Sequence, residues 1–498
     1  MDKPDPSSID PKTGFCLKTK IFYSLRPAVP LPPENTPLSA AAFALSLQST
    51  ISSPEATALV NSVTSHRISY SQFHLYVKAL AFSLRTEVGL SRNDVAFVLS
   101  PNSTRVPILY FALLSIGVAV SAANPISTKS EISRQVKISK PVVAFATSAT
   151  AAKLSEHELK TILIDSAEFE DMMTRRIASE LGEVEVRQND VAAILFSSGT
   201  TGQVKGVAIT HRNFIAITAN YYSQRQERSS PTVGLYTVPY FHVFGFHYCL
   251  KSVALGDAVV VMEERFELGK MLRAVEELKG YGMTETSGVA FRPMGDDEYV
   301  RWGSVGKLLG TNEAKIVVPD TGIALPPRKA GELWIKGPTV MKGYVGDPKM
   351  NSRILRVDGW LRTGDICYID DEGFLFVVDR VKELIKYKGY QVSPAELEQL
   401  LLSHPDIVDA AVIPFTFIPK MYYYSYPDEE AGQVPLAFVV RCPKSELDEG
   451  QVVEFIGKQV APYKKVRRVA FISSIPKSAA GKILRKELLK ISLSQSKL

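Results

Sequence analysis

The string Ser197-Ser198-Gly199-Thr200-Thr201-Gly202-Gln203-Val204-Lys205-Gly206 decides the reading of this chain. An apolar run, Val191 to Phe196, precedes it and a second, Val207 to Ile209, follows, so it reads as a loop between two strands. Gly199, Gly202 and Gly206 let backbone amides come close to phosphate oxygens. The hydroxyls of Ser197, Ser198, Thr200 and Thr201 add donors, and Lys205 adds a positive charge. A Walker loop needs Gly-Lys followed by Ser or Thr, which this segment does not provide. A flexible turn is the plain alternative for any short glycine-rich piece. A string this long, mixing glycine, hydroxyl and lysine, argues against it.

Around that loop the chain alternates between two periodicities. Val95-Ala96-Phe97-Val98-Leu99 and Pro141 to Thr147 read as buried strands, and Tyr70 to Leu84 carries apolar residues at helical spacing. Val106 to Ala123, the most apolar run, contains Pro107, two serines and Gly117. It predicts a buried helix running into a strand rather than a membrane span. Between Gly331 and Phe376 short strands are expected at Glu332 to Lys336, Ile366 to Ile369 and Phe374 to Val378, with Asp371-Glu372-Gly373 as a hairpin turn. Ser393 then caps a helix with Pro394 and Glu396 in its first turn and Leu397, Leu400 and Leu401 on one face. The pattern predicts an α/β protein with a large N-terminal domain, 1–378, of mixed β-sheets and helices. A small α+β C-terminal domain, 379–498, follows a boundary near Asp379-Arg380. The first ~35 residues are rich in proline and predict a loose arm.

Composition narrows the class. At 498 residues the chain exceeds one ordinary domain, and 45% hydrophobic with 22% charged residues suits a globular protein with a sizeable core. The net charge of +6 is concentrated late, in Lys464, Lys465, Arg467, Arg468, Lys477, Lys482, Arg485 and Lys486. That run is either a solvated face or a docking surface for a phosphorylated ligand. No aromatic interleaving accompanies it, so nucleic acid is not an expected partner. Cys16, Cys249, Cys367 and Cys442 are too widely spaced to form a metal or redox pair, which fits a reducing compartment. Neither a secretory leader nor a transmembrane segment is expected. The sequence closes on Ser496-Lys497-Leu498, the tripeptide read by the peroxisomal import receptor, and so predicts a peroxisomal protein.

Further blocks extend the opening string: Pro239-Tyr240-Phe241-His242-Val243-Phe244, Tyr281-Gly282-Met283-Thr284-Glu285, Gly331-Glu332-Leu333-Trp334-Ile335-Lys336-Gly337, Gly359-Trp360-Leu361-Arg362-Thr363-Gly364-Asp365, Asp379 to Lys386, and Pro476-Lys477-Ser478-Ala479-Ala480-Gly481-Lys482. With that string they resemble, in order, the motifs of the adenylate-forming superfamily of acyl-CoA synthetases, luciferases and peptide-synthetase adenylation domains. The resemblance is nearest to plant 4-coumarate–CoA ligase-like proteins. It implies an ATP-dependent acid–thiol ligase that makes an acyl-adenylate and then an acyl-CoA thioester, with ATP, Mg²⁺ and CoA bound.

The resemblance also implies residue roles. Ser197, Ser198, Gly199, Thr200, Thr201, Gly202 and Lys205 would hold the ATP phosphates. Glu285 would bind Mg²⁺, with Gly280 and Thr284 beside the nucleotide. Asp365 and Arg380 would meet the ribose, Lys382 would be the hinge of a mobile C-terminal domain, and Lys386 and Gln391 would contact the adenylate. Arg265, Lys388 and Gly389 would contact CoA. Lys482 would bridge ATP and the substrate carboxylate as pyrophosphate leaves, and His242 would line the acyl pocket near that carboxylate. A histidine among aromatics is equally a packed core residue. The implied acids are phenylpropanoid, fatty or jasmonate-precursor. Thr286-Ser287-Gly288, where coumarate ligases usually carry Ala-Gly-Pro, leans away from the phenylpropanoids.

Two departures stand out. Relatives place several dozen residues between the Arg265 region and the Gly-Met-Thr-Glu block, whereas here only Phe266 to Lys279 intervene, and no Gly-Ala-Ala-Pro string occurs. Thr416 to Tyr426 interrupts what otherwise reads as a strand and turn. A skipped exon and a retained intron fragment would account for both. The expectation is an N-terminal domain shortened near 266–280, with sheet edges exposed and ligase activity lost or much reduced. The alternative function is therefore an impaired variant that keeps only nucleotide binding.

Overall fold

The computed structural model describes residues 5–50, 52–176, 182, 184–198, 204–225, 232–236, 238–262, 280–294, 296–319, 321–380, 383, 385–387, 390–415, 433–443, 445–460, 464–477 and 483–495. The chain forms two compact units. The first comprises residues 1–315, 334–362 and 371–375, and the second 316–333, 363–370 and 376–498.

In the first unit a seven-stranded sheet runs in the order Gly343–Tyr344, Val204–Thr210, Val191–Ser198, Ala119–Ala122, Val95–Leu99, Val143–Ala146 and Lys160–Leu163. Its pairings are parallel from Val191–Ser198 to Lys160–Leu163, and Val204–Thr210 is antiparallel to both of its neighbours. Parallel strands are covered on both faces, which is why Val95–Leu99 is a continuous apolar run with Phe97 and Leu99 wholly buried. Helix Arg105–Ser115 buries almost every side chain, as expected of a helix apolar all round. Gly117, at φ 73°, then turns the chain into strand Ala119–Ala122. Helix Tyr70–Thr86 begins with a Ser69–Gln72 capping box and buries Phe73, Val77, Leu80 and Leu84.

A four-stranded sheet in the same unit runs Val233–Tyr236, Ala258–Val261, Thr57–Asn61 and Arg67–Ser69. Among the described residues Val233–Tyr236 is its edge, and Val233 and Leu235 stand 68% and 59% exposed there.

The proline-rich start departs from the expected loose arm. Phe15–Cys16 pairs with Ile21–Tyr23 in an antiparallel hairpin, and Phe22 pairs onward with Ala314. Phe15, Cys16, Ile21 and Phe22 are buried, and Arg26 binds Glu298 at 2.8 Å. Four apolar residues on a tight hairpin bury enough surface to order the segment despite its prolines.

The second unit holds a sheet of Ile407–Phe415, Val434–Arg441 and Arg468–Phe471, antiparallel and then parallel. Helix Pro394–Leu402 starts on Ser393, whose hydroxyl accepts from Glu396 N, and it buries Leu397 and Leu401 beside Val412 and Val439. The Asp371-Glu372-Gly373 turn, with Gly373 at φ 80°, separates strands Leu361–Ile369 and Phe374–Arg380. Among the described residues no helix is long and apolar enough to cross a membrane. The Thr416–Tyr426 segment lies outside the described residues.

Candidate functional site

The opening string is bracketed by an antiparallel ladder in which Ser197 faces Lys205 and Ser198 faces Val204. Gly199, Thr200, Thr201 and Gly202, at the turn, lie outside the described residues. The ladder nevertheless sets its two ends: a hydroxyl and an ammonium directly across from each other.

Glu285 comes to the same place from a different element. It sits in the single 3₁₀ turn Thr284–Thr286, which is closed on both sides. Met283 N donates to Thr286 Oγ1 at 3.0 Å, and Ser287, at φ 58°, sends its hydroxyl to Thr339 O at 2.8 Å. Gly282 must be glycine, because a Cβ there would meet Gly288 O at 1.7 Å. The turn leaves Glu285 only 5% exposed. Its Oε1 accepts from Tyr344 Oη at 2.7 Å and from Ser197 Oγ at 3.3 Å. Both bonds fall on Oε1. A buried carboxylate suits a hard divalent ion that takes its other ligands from phosphates and water. Among the described residues no cluster of three or more His, Cys, Asp and Glu forms an all-protein metal cage.

Tyr344 completes the group, and the sequence reading missed it. Strand Gly343–Tyr344 pairs with Val207 and Ala208 just beyond the loop, which brings the phenol over to Glu285. Lys205 Nζ lies 4.6 Å from the centre of its ring. Burial, reinforced by the Glu285 carboxylate, pushes the phenol's pKa well up, so it stays a donor. The only sequence signal was an aromatic residue following Gly343, at φ 150°, shortly after the Gly331–Gly337 block.

His242 caps helix Val243–Ala254, its Nδ1 accepting from Phe244 N at 3.2 Å. Burial lowers its pKa, so the ring is neutral and carries its proton on Nε2. Gly280 and Gly282 flank Tyr281 on one wall of a pocket of about 180 Å³, with Tyr221, Phe244, Tyr248, Gly288 and Arg292 also lining it.

The second unit brings Asp365 and Arg380 together, with Arg380 Nε at 3.3 Å from Asp365 Oδ1. Gly364, at φ 75°, turns the chain there, and Asp365 N donates to Thr363 Oγ1 at 3.1 Å. Asp365 is 9% exposed, so it is no solvated turn residue. Lys386 and Gln391 are cross-strand partners in the hairpin Ile385–Tyr387 and Tyr390–Val392. Lys388 and Gly389, at its turn, lie outside the described residues, as do Lys382, Lys482 and Arg265. The strand bridge Lys477 to Ile483 closes the segment that carries Lys482.

Comparison with known proteins places these residues in context. The family model described as "AMP-binding enzyme" matches residues 48–280 and 267–345, and its C-terminal-domain model matches 396–482. The chain belongs to the AMP-binding enzyme family. Within it, the chain is 47% identical to 4-coumarate–CoA ligase-like 9 of Arabidopsis thaliana, covering 98% of each. It is 37% identical to peroxisomal OPC-8:0-CoA ligase 1 of the same plant, covering 99% of this chain and 100% of that one. O-succinylbenzoate coenzyme A synthetase of Bacillus subtilis, solved with ATP and magnesium, superposes with a TM-score of 0.74 at 25% identity. That match covers 89% of this chain and 98% of the other. AMP-binding enzymes of this group are ATP-dependent acyl-CoA ligases built from a large N-terminal and a small C-terminal domain. The family match is split in two, and its pieces meet at 267–280. The alignment to the 47% relative runs over 564 positions, more than the 498 residues of this chain.

Proposed function

We propose that this AMP-binding enzyme activates a fatty, oxylipin or phenylpropanoid acid in two steps. The acid's carboxylate attacks the α-phosphorus of ATP, forming the acyl-adenylate and releasing pyrophosphate. The CoA thiol then attacks the acyl carbon, releasing AMP and forming the thioester. The observation that carries the reading is the convergence of Ser197 and Tyr344 on the buried Glu285 carboxylate at the ends of the glycine-rich loop, with Lys205 against the Tyr344 ring.

In this reading the loop from Ser197 to Lys205 holds the triphosphate through hydroxyls, backbone amides and one ammonium. Glu285 holds Mg²⁺, which neutralises phosphate charge when bound. Tyr344 and Ser197 keep the Glu285 carboxylate aimed. Asp365 accepts from the ribose hydroxyls with Arg380 beside it, and Lys482 stabilises the charge that develops as pyrophosphate leaves. His242, already used as a helix cap, offers its Nε2–H towards the acyl group. Residues 379–498 act as a lid that turns at Lys382 and presents Lys388 and Gly389 for the second step. The Ser496-Lys497-Leu498 string serves as a peroxisomal address, in keeping with the name of the 37% relative. Fusing the last dozen residues to a fluorescent reporter, with and without this string, tests that assignment.

A second reading is favoured by the family match broken at 267–280 and by the absence of a Gly-Ala-Ala-Pro string. In it the chain binds nucleotide and turns over slowly or not at all. Acid-dependent exchange of labelled pyrophosphate into ATP, run on purified protein over a panel of acids, separates the two. Exchange with any acid supports the ligase. ATP binding without exchange from folded protein supports the second reading.

A further inference from the structure

Tyr344 touches a positive and a negative charge at once. Its ring carries the Lys205 ammonium 4.6 Å from the centroid, and its Oη donates to Glu285 Oε1 at 2.7 Å. The Tyr344 backbone is fixed from two sides. Strand Gly343–Tyr344 pairs with Val207 and Ala208, and Val345 N donates to Gly206 O at 2.8 Å. Asn351, in helix Pro348–Ile354, accepts from Tyr344 N at 2.7 Å through Oδ1 and donates to Tyr344 O at 2.9 Å through Nδ2. Among the described residues no ion pair joins Lys205 to Glu285; each meets Tyr344 instead. The two charges are nevertheless within reach of each other. Lys205 and Ser197 are directly opposed in the antiparallel ladder, so their side chains share a face. Ser197 Oγ, on a single carbon, already meets Glu285 at 3.3 Å, and the stem of Lys205 is longer. Glu285 is buried, where opposite charges attract more strongly than in water.

We infer that Tyr344 is a positioning residue that holds the Lys205 ammonium off the Glu285 carboxylate, leaving the ammonium for the phosphates and the carboxylate for the metal of Mg-ATP. The inference rests on the nucleotide-binding part of the function proposed above. A direct ion pair would neutralise both groups, and the ligand would have to part them before it could bind either. The phenol prevents this with two parts of one side chain. Its ring attracts the cation without neutralising its charge, so the ammonium can still donate to phosphate oxygens. Its hydroxyl aims the carboxylate as a neutral donor. Burial and the Glu285 charge push the phenol's pKa up, so Tyr344 adds no charge of its own. Two separable effects follow. The ring, through Lys205, sets the metal-free affinity for ATP, and the hydroxyl, through Glu285, sets how much the metal adds.

The test measures ATP binding to the full chain by calorimetry, once with Mg²⁺ and once with EDTA, so that the ratio of the two dissociation constants reports the metal's contribution. In the unaltered protein Mg²⁺ is expected to tighten binding at least ~10-fold. Tyr344→Phe keeps the ring. Its EDTA affinity should change less than about 2-fold, while its Mg²⁺ ratio falls at least ~3-fold as Glu285 loses its shorter bond. Tyr344→Leu removes the ring. Its EDTA affinity should weaken at least ~5-fold, and its Mg²⁺ ratio should drop below that of Tyr344→Phe as Lys205 closes on Glu285. Lys205→Met separates that collapse from simple loss of a contact. In the unaltered background it should weaken ATP binding and leave the Mg²⁺ ratio within about 2-fold. In the Tyr344→Leu background it should instead raise the ratio to the Tyr344→Phe level, because the carboxylate is released. A Tyr344→Leu ratio that Lys205→Met does not raise overturns the inference, as does a Tyr344→Phe ratio equal to that of the unaltered protein. Should Tyr344→Leu fail to fold, Tyr344→Phe decides alone, and weakened EDTA binding or an unchanged ratio in it overturns the inference. An unaltered chain that binds no ATP, or binds it no tighter with Mg²⁺, sinks the nucleotide-binding function as well. Mg²⁺-tightened binding with Tyr344→Phe and Tyr344→Leu behaving alike sinks this inference alone.

Discussion

Tyr344 Oη donates to Glu285 Oε1 at 2.7 Å inside a nearly closed site, and this bond joins the strand beside the glycine-rich loop to the turn that carries the carboxylate. Ser197 supplies the other bond at 3.3 Å, which is the weaker of the two by length. Tyr344→Phe therefore leaves a buried carboxylate on one long bond. The expected cost is ~1.5–3 kcal/mol of stability, the range for a hydrogen bond to a charged group. Urea unfolding of Tyr344→Phe, Glu285→Gln and the double variant measures the coupling. Additive losses would show that the bond contributes nothing.

Burial holds three histidines of the first unit neutral. His211 is pushed down to about 4 and His247 to about 3, and His242 is lowered as well. His211 Nδ1 accepts from Ala40 N at 3.0 Å, a bond only the unprotonated nitrogen can make. Each folded pKa lies below the unfolded value, so the stabilisation is complete above pH ~6.5 and is lost as the pH falls towards the folded values. The slope is about 1.4 kcal/mol per histidine per pH unit in that window. Denaturant midpoints at pH 7.5, 6 and 5 should fall steeply, and less so in His247→Phe. An identical slope in that variant would remove His247 from the account.

The placement of the glycine-rich string was legible because it lies between two apolar runs, and the strands flanking it appear where the pattern put them. Asp365 and Arg380, on the two strands flanking the Asp371-Glu372-Gly373 turn and assigned to one sugar by resemblance, lie beside each other. Tyr344 was illegible, since its position depends on a two-residue strand and a non-local pairing with Val207 that no local period reveals. The hairpin at Phe15–Tyr23 was missed for a related reason: prolines dominated a segment whose order comes from four buried apolar residues. His242 was read for chemistry, and the cap it forms could not be inferred without knowing where the helix began.

Among the described residues the edge strand Val233–Tyr236 exposes Val233 and Leu235. A flat apolar edge with unpaired backbone groups recruits other chains. Val233→Lys with Leu235→Thr is expected to raise the soluble fraction and to delay light scattering on warming, with little change in the unfolding midpoint. Scattering that begins at the same temperature in both proteins would place the association elsewhere.

In the second unit Arg485 is held between two acids, with Nη1 at 2.9 Å from Glu398 Oε1 and Nε at 3.1 Å from Glu383 Oε2. Glu398 also accepts from Val412 N at 2.8 Å, so the arginine ties the start of helix Arg485–Gln495 to the central sheet. Burial raises the Glu398 pKa, and the Arg485 guanidinium works against that rise. Removing the guanidinium in Arg485→Met leaves two partly buried carboxylates facing each other, a loss of about 3–5 kcal/mol. The sign of its pH dependence is fixed. Without Arg485 the folded pKa of Glu398 climbs further above its unfolded value, so the charged form is penalised at neutral pH and relieved once the carboxyl takes up a proton. The loss should therefore be larger at pH 7.5 than at pH 5, and Glu398→Gln in the same background should recover part of it at pH 7.5 only. Because Ile483, two residues earlier, closes the segment carrying Lys482 through its bridge to Lys477, protease cleavage within 478–482 should quicken in Arg485→Met. Unchanged cleavage together with a pH-independent loss would reduce Arg485 to ordinary packing.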